Sequence, residues 1–152
     1  MEEGFLYMDG GEAVINTAMK LNNASSGGAI SVSGGNLSVT GGEFTGNKAT
    51  ANGGAINATK SFTVNDTVFN GNSADYDGGA VYINGGTDTV TVEMANTAFT
   101  SNNAPDGGAI FAKGASTTTK NTDCDFTENG DAGITPVQYL LQTVRSILSA
   151  VK

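Results

Sequence analysis

The chain has no histidine, one cysteine and few basic residues, and each shortage excludes a class of function. Without histidine, no Ser-His-Asp catalytic set can form. Cys124 alone cannot build an intrachain disulfide framework. Seven Lys and Arg residues against 15 Asp and Glu residues give a net charge of −8. That balance disfavours a nucleic-acid partner, because binding phosphates requires clustered cations. No run of 18 apolar residues occurs, so the sequence predicts no membrane-spanning segment.

Two short phrases repeat in alternation along the 152 residues. The first is Gly-Gly-Ala-Ile or its Val variant, and its four copies are Gly27-Gly28-Ala29-Ile30, Gly53-Gly54-Ala55-Ile56, Gly78-Gly79-Ala80-Val81 and Gly107-Gly108-Ala109-Ile110. The second is Phe-x-x-Asn, found at Phe44 to Asn47, Phe69 to Asn72, Phe99 to Asn102 and Phe126 to Asn129, with Met19 to Asn22 as a variant. A degraded Gly133-Ile134 follows the last copy.

The spacing of these phrases predicts a solenoid. The Gly-Gly pairs start 26, 25 and 29 residues apart (53−27, 78−53, 107−78), a period typical of stacked repeats. Within one period, Ala55 to Ala58, Ser61 to Val64 and Thr67 to Phe69 are predicted as short strands separated by turns. With only six Leu, a leucine-rich repeat is disfavoured. We therefore expect an all-β, right-handed parallel β-helix of about five coils over residues 1–134.

Stacking of like positions predicts three inward-facing columns. The first is Ile30, Ile56, Val81, Ile110 and Ile134; the second is Met19, Phe44, Phe69, Phe99 and Phe126; the third is Val14, Val39, Val64 and Met94. The asparagines at the bend after the aromatic strand are expected to tolerate a left-handed backbone and to bond the equivalent amides above and below. The paired glycines are expected to allow positive φ and close approach of neighbouring coils.

The alternation of the two phrases resembles the polymorphic membrane proteins of chlamydiae and related adhesin-like β-helix proteins, over residues 17–134. The resemblance implies a surface-exposed, autotransporter-type passenger that acts in adhesion to host cells. It makes the phrase positions quoted above the candidate binding positions. It also implies a host-cell receptor or surface glycan as partner, and a location at the cell surface or outer membrane, or secretion, in a prokaryote. The first aromatic position departs from the pattern, because it is Met19. We expect the chain to be a segment of a larger protein.

Residues 135–152 form a different kind of sequence. Thr135, Pro136 and Gln138 are typical of a helix start, and the apolar residues that follow recur at helical spacing, at Val137, Leu140, Leu141, Val144, Ile147, Leu148 and Val151. We expect an amphipathic helix that caps the last coil, because a solenoid end leaves unpaired strand edges. Helix-mediated or end-to-end self-association and binding to a partner or membrane surface are the alternatives.

The sequence offers little for chemistry. Asp75 and Asp77 are weak candidates for Ca²⁺ ligands, but aspartates in turns are usually turn formers. No basic residue adjoins an acidic cluster along the sequence, so a lyase lacks a proton acceptor there. Cys124 is expected to face inward and to be inert. We predict a protein that is not an enzyme and uses no cofactor. The alternatives are a carbohydrate-active β-helix, either a glycan-binding module or a degenerate polysaccharide lyase, and a self-assembling solenoid subunit.

Overall fold

A computed structural model describes residues 4–130, and these residues form 16 strands wound into five coils. Coil 1 contains β1 (Leu6–Ile15), β2 (Ala18–Lys20) and β3 (Asn23–Ala24); coil 2 contains β4 (Ile30–Thr40), β5 (Glu43–Thr45) and β6 (Lys48–Ala49). Coil 3 contains β7 (Ile56–Ala58), β8 (Phe62–Asn65), β9 (Val68–Asn70) and β10 (Ser73–Ala74). Coil 4 contains β11 (Val81–Asn84), β12 (Thr89–Ala95) and β13 (Ala98–Thr100); coil 5 contains β14 (Ile110–Lys113), β15 (Ser116–Thr122) and β16 (Asp125–Thr127).

Every strand pairs in parallel with the equivalent strand of a neighbouring coil. Ile30 pairs with Ile56, which pairs with Val81, so the Gly-Gly-Ala-Ile phrases align in register from coil to coil. The aromatic strands align in the same way, with Phe44 against Phe69. The prediction of an all-β parallel solenoid of about five coils is confirmed. The right-handed sense of the winding stays a prediction, and it agrees with the strong preference of parallel strand crossovers for that hand.

The strands predicted in coil 3 are found within one residue of their expected bounds, as β7, β8 and β9. Two features differ from the sequence prediction. In coils 1 and 2 the first two strands merge into one long strand, with irregular register between Met8 and Glu12 where β1 pairs with β4. A fourth set of paired strands, formed by β3, β6 and β10, was not predicted from the sequence. Its strands have two residues each, too few for any periodic pattern to show.

The start of the described chain is an imperfect first coil. Leu6 pairs with Ile30, so Gly4-Phe5-Leu6 occupies the place of Gly28-Ala29-Ile30 one coil on. Phe5 stands where the later coils have a fully buried alanine, and its side chain is 72% exposed. Coil 4 contains an additional turn near Gly85, between β11 and β12.

The core is a set of side-chain columns that run along the solenoid. The Ile and Phe columns are confirmed for every member within residues 4–130, although Phe126 in coil 5 is only partly buried. The third column was wrong at its first member: Ile15 rather than Val14 pairs with Val39, and Val14 is 70% exposed. The turn from Ile15 to Met19 is one residue shorter than that from Val39 to Phe44, so counting back five residues selects the wrong face.

The C-terminal segment 135–152, with the helix and the cap expected there, lies outside the described residues, as does Ile134. The described residues also include a second inner set of alanines, Ala49, Ala74 and Ala104, which packs apart from the main core. Within residues 4–130 no helix is long and apolar enough to cross a membrane.

Candidate functional site

The two glycines of each Gly-Gly pair have different functions. The first of each pair adopts positive φ, for example 68° at Gly53, a conformation that L side chains rarely adopt. The second has no room for a side chain, because a Cβ on Gly54 would overlap the carbonyl oxygen of Gly79 in the next coil. Both expectations for the glycines are confirmed, and the second glycine sets the coil-to-coil approach at this corner.

The alanine and isoleucine of the phrase continue this close contact. The carbonyl oxygen of Ala55 accepts hydrogen bonds from two backbone N–H groups of the preceding coil, those of Ala29 at 3.0 Å and Ile30 at 2.9 Å. The Ala80 and Ala109 carbonyls repeat the pattern. All four alanines have no exposed surface. The phrase Gly-Gly-Ala-Ile is therefore a packing unit that joins coils.

The aromatic position forms a continuous stack. The ring centroids of Phe44 and Phe69 are 4.8 Å apart, and those of Phe69 and Phe99 are 4.9 Å apart with nearly parallel planes. Phe99 and Phe126 extend the stack at 4.9 Å. Phe44, Phe69 and Phe99 are fully buried, so they bury large apolar area and add ring-ring attraction.

The asparagines form a hydrogen-bonded ladder along the axis, which confirms the predicted amide-to-amide bonds. The Oδ1 atom of Asn72 accepts from the Nδ2 atom of Asn47 at 2.9 Å and from its backbone N–H at 3.0 Å. The Nδ2 atom of Asn72 in turn donates to the Oδ1 atom of Asn102 and to the carbonyl oxygen of Phe44. Equivalent bonds run from Asn22 to Asn129.

The left-handed backbone expected at these asparagines lies one residue earlier. Positive φ occurs at the preceding position in every coil, at Leu21, Gly46, Gly71, Ser101 and Glu128. This shift has a physical reason, because the asparagine must point its amide into the ladder while the residue before it makes the bend. The asparagines therefore act through their side chains and not through tolerance of positive φ.

These findings place the phrase residues inside the solenoid. The side chains of Phe69, Asn72 and Ile56 have no exposed surface, and the other phrase positions of coils 2–4 are similarly buried. A direct role of these positions in binding a partner stays a prediction. The phrases pack neighbouring coils together and so hold the outward-facing side chains of those coils in register.

A shallow groove of about 480 Å³ lies on the outer face formed by β1, β4, β8 and β12. Its lining combines hydroxyl, amide and carboxylate groups with apolar side chains, from Glu12, Ala13, Val14, Asn36, Leu37, Ser38, Ser61, Phe62, Thr63, Thr91 and Glu93. Sequence reasoning missed the groove, although polar and apolar residues alternate in β8 and Thr63 lies on the outer face. Which outward residues become neighbours depends on the register between coils.

A second outward cluster combines rings and charges. Tyr82 and Phe111 stack at 5.7 Å on the outer face of β11 and β14, and the Nζ atom of Lys113 lies 5.5 Å from the centre of the Tyr82 ring. A hydrogen bond with Tyr82 raises the pKa of Lys113. This ammonium therefore stays protonated at neutral pH and is a poor proton acceptor.

The fold brings a cation beside the acidic turn, although no basic residue adjoins that turn along the sequence. The Nζ atom of Lys48 lies 3.7 Å from a carboxylate oxygen of Asp75 in the next coil. Burial raises the pKa of Asp77, with a further contribution from the charge of Asp106 and an opposing one from Lys113. Among residues 4–130, no group of three or more His, Cys, Asp or Glu side chains is placed to hold a metal ion.

Cys124 lies in coil 5 and is only partly buried. Cys124 occupies the position that Thr67 and Thr97 hold in coils 3 and 4. The hydroxyl of each threonine donates a hydrogen bond of 2.8 Å to the carbonyl oxygen two residues earlier. The Cys124 thiol makes the equivalent contact with the carbonyl oxygen of Thr122 at 3.5 Å. Burial raises the pKa of the Cys124 thiol, which lowers its reactivity. Its inward placement agrees with the expectation, apart from its partial exposure.

Three stretches of the chain match the Chlamydia polymorphic membrane protein repeat: residues 41–59, 66–84 and 96–113. Each stretch contains one Phe-x-x-Asn and one Gly-Gly-Ala-Ile or Val phrase. The described part of the chain is therefore a β-solenoid whose repeats are similar to those of the polymorphic membrane proteins.

A particular relative is the "Probable outer membrane protein pmp6" of Chlamydia pneumoniae, which is 36% identical over 100 residues. The alignment spans 59% of this chain and 7% of the relative, so the chain covers only a small part of the relative's length. The name of the relative agrees with the location expected here, at the cell surface or outer membrane. No solved structure matches the chain.

Proposed function

We propose that this chain is a non-enzymatic, surface-displayed module that presents an adhesive outer face on a rigid β-solenoid, as a segment of a larger autotransporter-type protein. The observation that carries the proposal is the burial of the repeated phrases. The residues that define the repeat are used for stacking coils, so contact with a host-cell receptor or glycan falls to the outward side chains.

The groove on β1, β4, β8 and β12 is the best candidate for that contact, because binding sites prefer concave surfaces with a few polar groups. Its lining comes from four coils, so it exists only when the coils are stacked. The repeats would thus create the binding surface without touching the ligand.

The experiment is a binding assay with beads that carry the protein, incubated with cultured host epithelial cells. Thr63→Arg and Thr91→Arg place long cations in the groove and should abolish bead attachment. Asn70→Arg is the matched control, because Asn70 is exposed on β9, outside the groove, and it should leave attachment unchanged. Attachment that survives both groove variants would move the contact to another face.

A glycan-binding module is the second candidate, and the hydroxyl, amide and carboxylate groups around the groove favour it because sugars offer complementary hydrogen-bonding groups. A glycan array probed with the protein separates the two: a defined sugar that also blocks bead attachment supports this second function. A degenerate lyase is less well supported, because the Lys113 ammonium is held protonated and the other cations beside acids sit in exposed ion pairs. We expect no unsaturated product from polygalacturonate, alginate or chondroitin, with or without Ca²⁺.

A further inference from the structure

The groove on the outer face has the same layout in each coil that it crosses. Every coil contributes one residue to each of its two rims, and the two residues lie two positions apart on one strand. In coils 2–4 these residues are all polar or charged, and they are Asn36 and Ser38, Ser61 and Thr63, and Thr91 and Glu93. Coil 1 adds Glu12 and Val14, whose side chain is 70% exposed. The groove therefore presents a repeated polar step that runs parallel to the solenoid axis.

The repeat also determines the dimensions of the groove. The ring centroids of Phe44 and Phe69 show that neighbouring coils lie 4.8 Å apart, so four coils extend about 14 Å along the axis. Two residues of a strand extend about 6.6 Å, and the backbone positions of the two rims are separated by that distance. An α-helix with its side chains is about 10 Å wide. The groove is therefore too narrow to hold a helix between its rims.

An extended peptide also fits this groove poorly. The strands β4, β8 and β12 each pair with strands of both neighbouring coils, so their backbone groups are not available for the addition of a further strand. Side chains on one face of a peptide strand recur about every 6.6 Å. That spacing does not match a polar step every 4.8 Å. The ligand must be thinner than a helix and must have a shorter repeat than a peptide strand.

An extended oligosaccharide meets both requirements. A β-linked chain of pyranose rings is thin, carries hydroxyl groups along both edges, and advances per ring by roughly the spacing of the coils. Ser38 and Thr63 on one rim, and Ser61 on the other, can each donate or accept a hydrogen bond. The exposed Val14 side chain offers an apolar contact for the C–H face of a terminal ring.

The charges of the groove select against an anionic chain. Among the described residues that line the groove, only Glu12 and Glu93 are charged. Glu93 is paired with Lys120 at 2.8 Å, and Glu12 makes no ion pair within residues 4–130. A carboxylated or sulfated ring beside Glu12 would bring two negative charges together, which is unfavourable.

We propose that the groove binds an uncharged, β-linked oligosaccharide of the host-cell surface, which lies parallel to the solenoid axis with about one ring per coil. This inference rests on the function proposed above and gives the chemical class of the ligand for that same groove. Each coil supplies one polar pair to one ring, so about three or four rings fill the groove.

The test measures the affinity of the full chain by isothermal titration calorimetry for two series of β-linked chains, cello-oligosaccharides and N-acetylchito-oligosaccharides of two to five rings. The affinity of a series that binds should rise by at least about tenfold from two rings to four and should not rise further, because a fifth ring passes the end of the groove. Maltotetraose is the matched ligand control for cellotetraose, since both contain only glucose and the α linkage curves the chain. It should bind at least about tenfold more weakly. Trigalacturonate, which is anionic, should not bind.

A Ser38→Ala, Thr63→Val variant tests the rim. The hydroxyls of these residues are hydrogen-bonded to each other at 3.3 Å, so their joint removal leaves no bonded partner in the protein unpaired. The loss of two hydrogen bonds to the ligand should weaken tetrasaccharide binding by about tenfold or more. Thr40→Val is the matched control, because Thr40 is exposed on the same strand as Ser38 and does not line the groove. Circular dichroism verifies that both variants keep the β signal of the parent chain.

Four results would overturn the proposal: no binding of either β-linked series, affinity that is independent of chain length, equal affinity for cellotetraose and maltotetraose, or tighter binding of trigalacturonate. The bead assay separates this inference from the adhesive function. If Thr63→Arg abolishes bead attachment and no β-linked chain binds, the adhesive function stands and the oligosaccharide is wrong. If the tetrasaccharide binds the parent chain and Thr63→Arg beads still attach, the ligand class stands and the groove is not the adhesive contact.

Discussion

The asparagine ladder predicts a large penalty for a small change at Asn72. Asn72→Ala removes four side-chain hydrogen bonds: two accepted from Asn47, and one donated to each of Asn102 and the Phe44 carbonyl oxygen. The Nδ2 atom of Asn47 keeps its bond to the Met19 carbonyl oxygen, so the buried backbone N–H of Asn47 is the donor left without a partner. One or two such orphaned groups at about 1–3 kcal/mol each, plus the cavity, give a loss of about 3–5 kcal/mol.

Urea denaturation followed by circular dichroism measures this loss as a lower midpoint at an unchanged slope. Asn70→Ala is the matched control, two residues away and exposed, and should stay within about 0.5 kcal/mol of the parent chain. Asn72→Asp should be at least as damaging as alanine at pH 7, because a carboxylate would face the Phe44 carbonyl oxygen. It should recover in part at low pH, where the buried carboxyl is protonated and donates again. A loss below about 1 kcal/mol for Asn72→Ala, equal to that of Asn70→Ala, would refute a stabilising ladder.

Three further perturbations test the packing and the charges. Phe69→Ala should cost about 3–5 kcal/mol because it empties the middle of the ring stack, and Phe69→Leu should cost far less; thermal melts decide, and equal small effects would contradict the stack. Gly54→Ala should cost about 3 kcal/mol because the new Cβ meets backbone of the next coil, whereas Gly10→Ala, in open space, should be near neutral in the same melts. Asp77→Asn should stabilise the protein at pH 7, because burial and the charge of Asp106 raise the pKa of Asp77 and so penalise its ionised form in the folded state. That gain in stability should shrink as pH falls through the raised pKa and vanish below about pH 3.9, the ordinary pKa of an aspartate. A gain in stability that grows on acidification would contradict a raised pKa of Asp77.

The repeat made the fold predictable because it reports long-range neighbours directly. Residues at the same position of successive repeats, such as Phe44, Phe69 and Phe99, must stack if the coils stack. The structure confirms each such pair. Strand propensity alone would not place Phe44 beside Phe69. The amide bonds of the ladder followed from the same phase argument.

The prediction of residue positions was less accurate wherever the spacing within the repeat changed. Val14 was selected by counting, and a one-residue-shorter turn moved the inward position to Ile15. The two-residue strands of β3, β6 and β10 carry no periodic signal, so their pairing could not be found. The left-handed bend was assigned to the asparagines, because Leu21, Ser101 and Glu128 are residue types that seldom adopt positive φ and do so here under the constraint of the ladder.

The candidate binding surface was the least predictable part. Alternation along β8 places Thr63 outside, but a groove also depends on how far neighbouring coils are displaced and on the irregular register of β1 against β4. Likewise, the ion pair between Lys48 and Asp75 joins residues 27 positions apart (75−48). Neither relation is local, so no short motif could have reported it.

The direction of the asparagine ladder has a consequence for how such a chain can change over time. Each amide presents its oxygen toward the coil before it and an N–H toward the coil after it, so every coil has the same acceptor on one side and the same donor on the other. A whole coil can thus be duplicated or deleted without leaving a mismatched junction. The turn at Gly85 and Gly86 shows that a coil can also lengthen outward while its ladder position is kept. Unequal recombination between repeats would therefore yield foldable proteins of different lengths, with new outer faces and an unchanged asparagine ladder.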